Sequence, residues 1–185
     1  DTDRLYAVFH ESETPFGRSG LQTATVHMEL GGSRFRITQV GVLAADPRLL
    51  VVAMSASLAQ QRDVESFVLT DNPLRFPTAV LVNSNKAYYG ESEFKLVPED
   101  EQYMRMQTTL FNSLFGEFSP SRSDLVFAKT GEFMGIMVNG RHAIMLPDLQ
   151  LSSKIGVGEN FSQAEATRYR SLLRTSLQSL PSDVR

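Results

Sequence analysis

The chain has 185 residues, 42% apolar and 21% charged, which fits one globular domain or two small ones and excludes bulk disorder and fibrous repeats. Eighteen basic against 21 acidic residues leave a net charge of −3, without the clustered Lys and Arg that a nucleic-acid duplex demands. With no Cys, disulfide frameworks, thiolate metal sites and cysteine nucleophiles are excluded. His10, His27 and His142 are too few and too scattered for a metal site, and no cofactor motif is present: Gly31-Gly32 closes a hairpin and opens no phosphate-binding helix. Val40–Leu58 is the longest apolar-rich run. Asp46, Pro47 and Arg48 interrupt it, so no membrane-spanning helix is expected. Asn160-Phe161-Ser162 fits a glycosylation acceptor pattern, relevant only in a secreted eukaryotic chain.

In chain order, residues 23–30 alternate Val26, Met28 and Leu30 against Thr25, His27 and Glu29, the pattern of a half-buried strand. Gly31-Gly32 then predicts a hairpin into a strand over 34–43. Residues 49–54 are an unbroken apolar run, hence a buried strand. Further short strands are predicted over 67–70, 78–83, 93–97 and 103–111, separated by Asp-, Asn- and Pro-rich turns. From Asp124 to Leu146 the text reads as three consecutive antiparallel strands. The last two are joined at Asn139-Gly140, the dipeptide that suits both positive-φ positions of a type I′ turn. About ten short strands with little helix among them predict an all-β antiparallel barrel or sandwich. The tail differs. Ser162-Gln163-Ala164-Glu165 is a capping box, and Ala166, Tyr169, Leu173, Leu177 and Leu180 recur at helical spacing until Pro181. One C-terminal amphipathic helix of about five turns is predicted, packing its apolar stripe on the domain.

Three patches carry a family resemblance. Val26–Phe35 leading into Ala45-Asp46-Pro47-Arg48-Leu49-Leu50-Val51-Val52 resembles "V-x-L-x-D-G-x-x-F … D-P-x-x-D-L-A-V". Tyr103-Met104-Arg105-Met106-Gln107-Thr108 resembles "F-I-Q-T-D". Ser119-Pro120-Ser121-Arg122-Ser123-Asp124-Leu125-Val126-Phe127, then Gly131-Glu132-Phe133-Met134-Gly135-Ile136, resembles "G-N-S-G-G-A-L-V-N … G-E-x-x-G-I". In that order they are similar to bacterial proteases of the HtrA type, within the chymotrypsin/trypsin superfamily, over residues 24–146. The resemblance implies an antiparallel trypsin-like double β-barrel. Its subdomains would be about 1–65 and 66–158, short of the family's leading strands at the N-terminus, with 159–185 as the packed helix. It also implies a bacterial cell-envelope or secreted setting.

The departures bear on chemistry. The position of the family's catalytic Asp falls on Leu50, which cannot orient an imidazole. The nucleophile position falls on Ser121, but Ser119-Pro120 replaces Gly-Asn and Arg122-Ser123 replaces Gly-Gly. Pro120 restricts residue 119 and lacks an N–H, so the oxyanion hole is expected to be defective; one lost donor costs about 10²–10³ in rate. The expected function is a catalytically degenerate domain that binds a protein or extended peptide. The alternative is an active serine endopeptidase with Ser121 as nucleophile, His10 at the end of the run Tyr6–His10 as base, and Asp46 as substitute acid. Three bland readings stand beside these. Ser121 with Asp124 caps a turn, the acidic residues Glu91, Glu93, Glu99, Asp100 and Glu101 form a solvated face, and Phe111, Phe115 and Phe118 form core. His27 is expected on a solvated strand face and His142 exposed at a hairpin end.

Overall fold

The computed structural model describes residues 4–18, 21, 25–30, 32–61, 64–83, 88–107 and 120–185. The aromatic set Phe111, Phe115 and Phe118, the end of the strand expected over 103–111, and Ser119 lie outside these residues. The chain divides into two compact units, residues 1–66 with 149–179 and residues 67–148 with 180–185.

The first unit holds β1 (Arg4–His10), β2 (Val26–Leu30), β3 (Ser33–Ile37), β4 (Gln39–Leu43), β5 (Leu49–Ser55) and a short helix α1 (Ala56–Gln61). It is completed from the C-terminal part of the chain by β12 (Leu151–Gly156) and α2 (Gln163–Ser179). An antiparallel sheet runs β1–β5–β4–β12, and β2–β3 form a separate hairpin. That hairpin is the one predicted at Gly31-Gly32: Leu30 pairs with Ser33, and Gly32 takes φ +72°, a backbone region glycine enters freely. The single strand expected over 34–43 is two. It breaks at Thr38, whose carbonyl accepts from Val157 N–H (3.0 Å), so β3 can serve the hairpin while β4 serves the sheet. Val40, Val42, Leu50, Val52 and Ile155 build the core with Tyr169 and Leu173 of α2. The helix therefore buries the predicted stripe as far as Leu173, with Leu177 partly buried against the same core, while Leu180 belongs to the second unit. The capping box is half formed. Ser162 Oγ accepts from Glu165 N–H (3.3 Å), but the Glu165 carboxylate accepts from Gly156 N–H at the end of β12 (2.8 Å), pinning helix to sheet.

The second unit is a closed antiparallel barrel of β6 (Thr78–Asn83), β7 (Tyr88–Val97), β8 (Asp100–Gln107), β9 (Leu125–Phe127), β10 (Phe133–Met137) and β11 (His142–Met145). Its order is β6–β7–β8–β11–β10–β9, with β9 closing on β6. Ala79, Leu81, Met104, Met106, Val126, Met134 and Met137 fill it. Met is abundant here because an unbranched thioether adapts to an irregular interior. At Gly135 a Cβ would stand 1.8 Å from the Ile144 carbonyl oxygen, so the β10–β11 approach requires glycine.

The barrel is all-β as expected. One closed barrel is present; the described residues of the first unit form an open sheet and a hairpin. Residues 67–70 are not a strand of the barrel, because β10 already has β9 and β11 on its two edges. The paired register with β11 begins only at Gly135, and before it Phe133 N–H donates to Val68 O (2.8 Å) and Phe133 O accepts from Thr70 N–H (3.0 Å), leaving Leu69 as an isolated parallel bridge. The turn at Asn139-Gly140 is also not type I′. Neither residue takes a positive φ; Asn139 Oδ1 accepts from the N–H groups of Arg141 (2.9 Å) and His142 (2.8 Å), so the side chain makes the turn. No helix among the described residues is long and apolar enough to cross a membrane.

Candidate functional site

Ser121 opens a four-residue turn that delivers the chain into β9. Asp124 N–H donates to the Ser121 carbonyl (3.1 Å), and Ser123, third in the turn, takes φ +73°. A turn with positive φ at its third position is the type II geometry that favours glycine. Ser123 is the one non-glycine residue with such a φ among the described residues. Its N–H donates to Met137 O (2.9 Å), and Met137 N–H returns to Asp124 O (2.8 Å), tying the turn to the end of β10.

The carboxylate of Asp124, 1% exposed, folds back over this turn. Its Oδ2 accepts from Ser121 N–H (2.8 Å) and its Oδ1 from the Ser121 hydroxyl (3.0 Å). Asn83 Nδ2, at the end of β6, donates to both Ser121 Oγ (3.1 Å) and Asp124 Oδ1. Two groups that acyl transfer would require, the hydroxyl proton and the backbone N–H beside it, are thus both spent on an internal carboxylate. A nucleophile needs its proton aimed at a base and its N–H aimed at a developing oxyanion; here one buried anion takes both.

His10 and Asp46 lie in the first unit and Ser121 in the second. His10, 2% exposed at the end of β1 and opposite Leu49, accepts at Nδ1 from Ser12 N–H (3.1 Å), with Ser12 Oγ 2.8 Å from the same nitrogen. It caps the short helical turn that follows the strand. Asp46 sits in the buried β4–β5 connection. Its two oxygens grip the guanidinium of Arg48, Nη2 at 2.7 Å and Nε at 3.0 Å, and Oδ1 also accepts from Arg48 N–H (2.8 Å). Pro47 between them offers its carbonyl to the Tyr169 hydroxyl of α2 (3.0 Å). Burial holds that phenol far above the ordinary tyrosine range, and the nearby charges of Glu11 and Asp46 add to it. Leu50 is fully buried in the core, so the position aligned above with an acid is an apolar packing position here.

The remaining candidates resolve locally. Exposed Glu91 meets Lys129 at 2.9 Å, and Asp100 Oδ1 accepts from Gln102 N–H (3.1 Å), as expected of a solvated face. His27 is exposed on β2, 3.3 Å from an Arg34 nitrogen. His142 is the exception: expected at an exposed hairpin end, it is 1% exposed. Asn83 carried no local signal, because its partners lie 38 and 41 residues away. Comparison with protein-family models, with curated proteins and with solved structures returns no match.

Proposed function

We propose that the chain is a catalytically silent domain of trypsin-like type that binds an extended protein segment. The observation that carries this reading is the pair of hydrogen bonds that Ser121 donates, from its N–H and its hydroxyl, to the carboxylate of Asp124. The residue in the nucleophile position is engaged as a turn cap. Supporting the trypsin-like part are the closed six-stranded antiparallel barrel and the placement of Ser121 at the entry to one of its strands. The apolar Leu50 supports the loss of chemistry, since no acid stands there to steady an imidazole.

Binding is supported by the open sheet of the first unit. A closed barrel has no strand edge to offer, whereas β1 and β12 end the order β1–β5–β4–β12. On β12, Ser152, Ser153 and Lys154 are all exposed, the polar dressing that discourages strand addition. β1, with residues 5–9 half-buried, is the better edge for an incoming extended chain, which adds main-chain hydrogen bonds in the manner of β-augmentation.

The test is covalent. Folded protein is treated with a fluorophosphonate and its intact mass is read; no adduct is expected. Stoichiometric labelling at Ser121 overturns the proposal and supports the endopeptidase built on Ser121, His10 and Asp46. The binding half is read by hydrogen exchange with an extended peptide mixture, which should protect amides of β1 and leave those of β12 unchanged. Protection of neither edge removes the strand-addition mode.

A further inference from the structure

Asn139 and His142 form a polar corner at the β10–β11 turn, and the last residues of the chain occupy it. The Asn139 amide is oriented without ambiguity: Oδ1 accepts two backbone N–H groups of its own loop, and Nδ2 donates to the carbonyls of Asp183 (3.1 Å) and Val184 (3.2 Å). The His142 ring, 1% exposed, lies with Nδ1 at 3.3 Å from Asn139 Oδ1 and Nε2 at 3.4 Å from Asp183 Oδ2. Val184 is fully buried, and its N–H closes a turn onto Pro181 O (3.1 Å). A cleft of about 530 Å³ continues beside this turn, walled on the barrel side by Leu96, Val97, Pro98, Glu99 and Arg105. An oriented amide and an imidazole thus converge on a carboxylate and two successive carbonyls, beside a fully buried Val184.

We propose that the Asn139–His142 corner is a binding site for an aspartate-bearing peptide turn, filled in cis by the chain's own Pro181–Val184 and able to take an acidic peptide of the same pattern in trans. The recognition is specific in chemistry. The Asp side chain addresses His142, the two carbonyls address Asn139 Nδ2, and the residue after the Asp is the buried anchor, as Val184 is. Tethering raises the local concentration of the cis segment to about millimolar, so a free peptide competes only when the cis contact is weakened.

The experiment uses the full chain and a fluorescein-labelled peptide, Leu-Pro-Ser-Asp-Val-Arg, read by anisotropy. Asp183→Asn removes the cis carboxylate and should raise peptide affinity about tenfold over the parent chain. Binding should vanish when the peptide Asp is Asn or when His142→Gln is added. Equal affinity for parent and Asp183→Asn, or binding that His142→Gln leaves intact, overturns the proposal.

Discussion

Replacing Asp124 by Ala removes one acceptor from three donors at once. The Ser121 hydroxyl can rotate to another partner, but the Ser121 N–H and the Asn83 amide are fixed by the turn and by the end of β6. Each hydrogen bond to a charged group contributes about 1.5–3 kcal/mol, and a buried donor left unpaired adds its own desolvation cost. The Ser121 N–H is left unpaired and Asn83 Nδ2 keeps Ser121 Oγ, so the lost bonds to the carboxylate and one stranded donor place the loss at about 3–5 kcal/mol. Ser121→Ala deletes the hydroxyl alone, keeps the backbone bond to Asp124, and should cost about 1–2 kcal/mol. The ordering follows from the geometry: the carboxylate organises the turn and the serine is its client. Urea unfolding followed by circular dichroism measures both. Hydrogen exchange at Leu81 and Val126, inside the barrel, assigns the transition to the second unit. If Asp124→Ala costs no more than Ser121→Ala, the carboxylate is not the keystone, and the argument that it immobilises the nucleophile position fails with it.

Three other outcomes follow from the same structure. Ser123→Gly relieves a non-glycine residue held at φ +73° and should stabilise by about 0.5–1 kcal/mol; a loss measured by thermal melting refutes the strain. Arg48→Met strands the buried carboxylate of Asp46 and should cost about 3–5 kcal/mol, much of it recovered in the double variant with Asp46→Leu; additive losses in that cycle contradict a paired cost. Tyr169→Phe leaves the Pro47 carbonyl without its donor, a loss of about 1–2 kcal/mol at neutral pH. Because folding raises the Tyr169 phenol above its unfolded value, its contribution is complete below about pH 10 and declines as the pH rises further. The stability gap between parent and Tyr169→Phe should therefore narrow in alkaline denaturation, and a constant gap would show that the phenol is not held neutral by burial.

The parts of the fold legible in the sequence are those whose reasons are local. β6 stands where Thr78–Asn83 was expected, because Pro77 and the Asn-rich stretch after it bound an apolar run. The Ser121–Asp124 cap was readable for the same reason: a serine and an aspartate three apart can close on each other. β12 was not readable. Its residues LSSKIG carry no alternation because it is a polar edge whose strand partner among the described residues is β4, more than a hundred residues earlier. β1 is legible only in part: Tyr6–His10 reads as an apolar run with His10 at a strand end, but its place comes from pairing with β5. Asn139-Gly140 was placed correctly as a turn but for the wrong reason, the asparagine acting through its side chain. His142 defeated the reading for a similar cause: a polar residue after a turn looks solvated until residues 183 and 184 arrive to cover it.

The return of β12 to β4 has a consequence for how the chain is made. Residues 67–148 are contiguous, so the barrel strands can all be synthesised before the first sheet has its last one. That sheet waits for residues 151–156 to emerge, and until then β4 presents a bare ladder during translation. A nascent protein with such a gap exposes a pairing template for some hundred codons, and slow non-local closure of this kind is where aggregation and chaperone dependence concentrate.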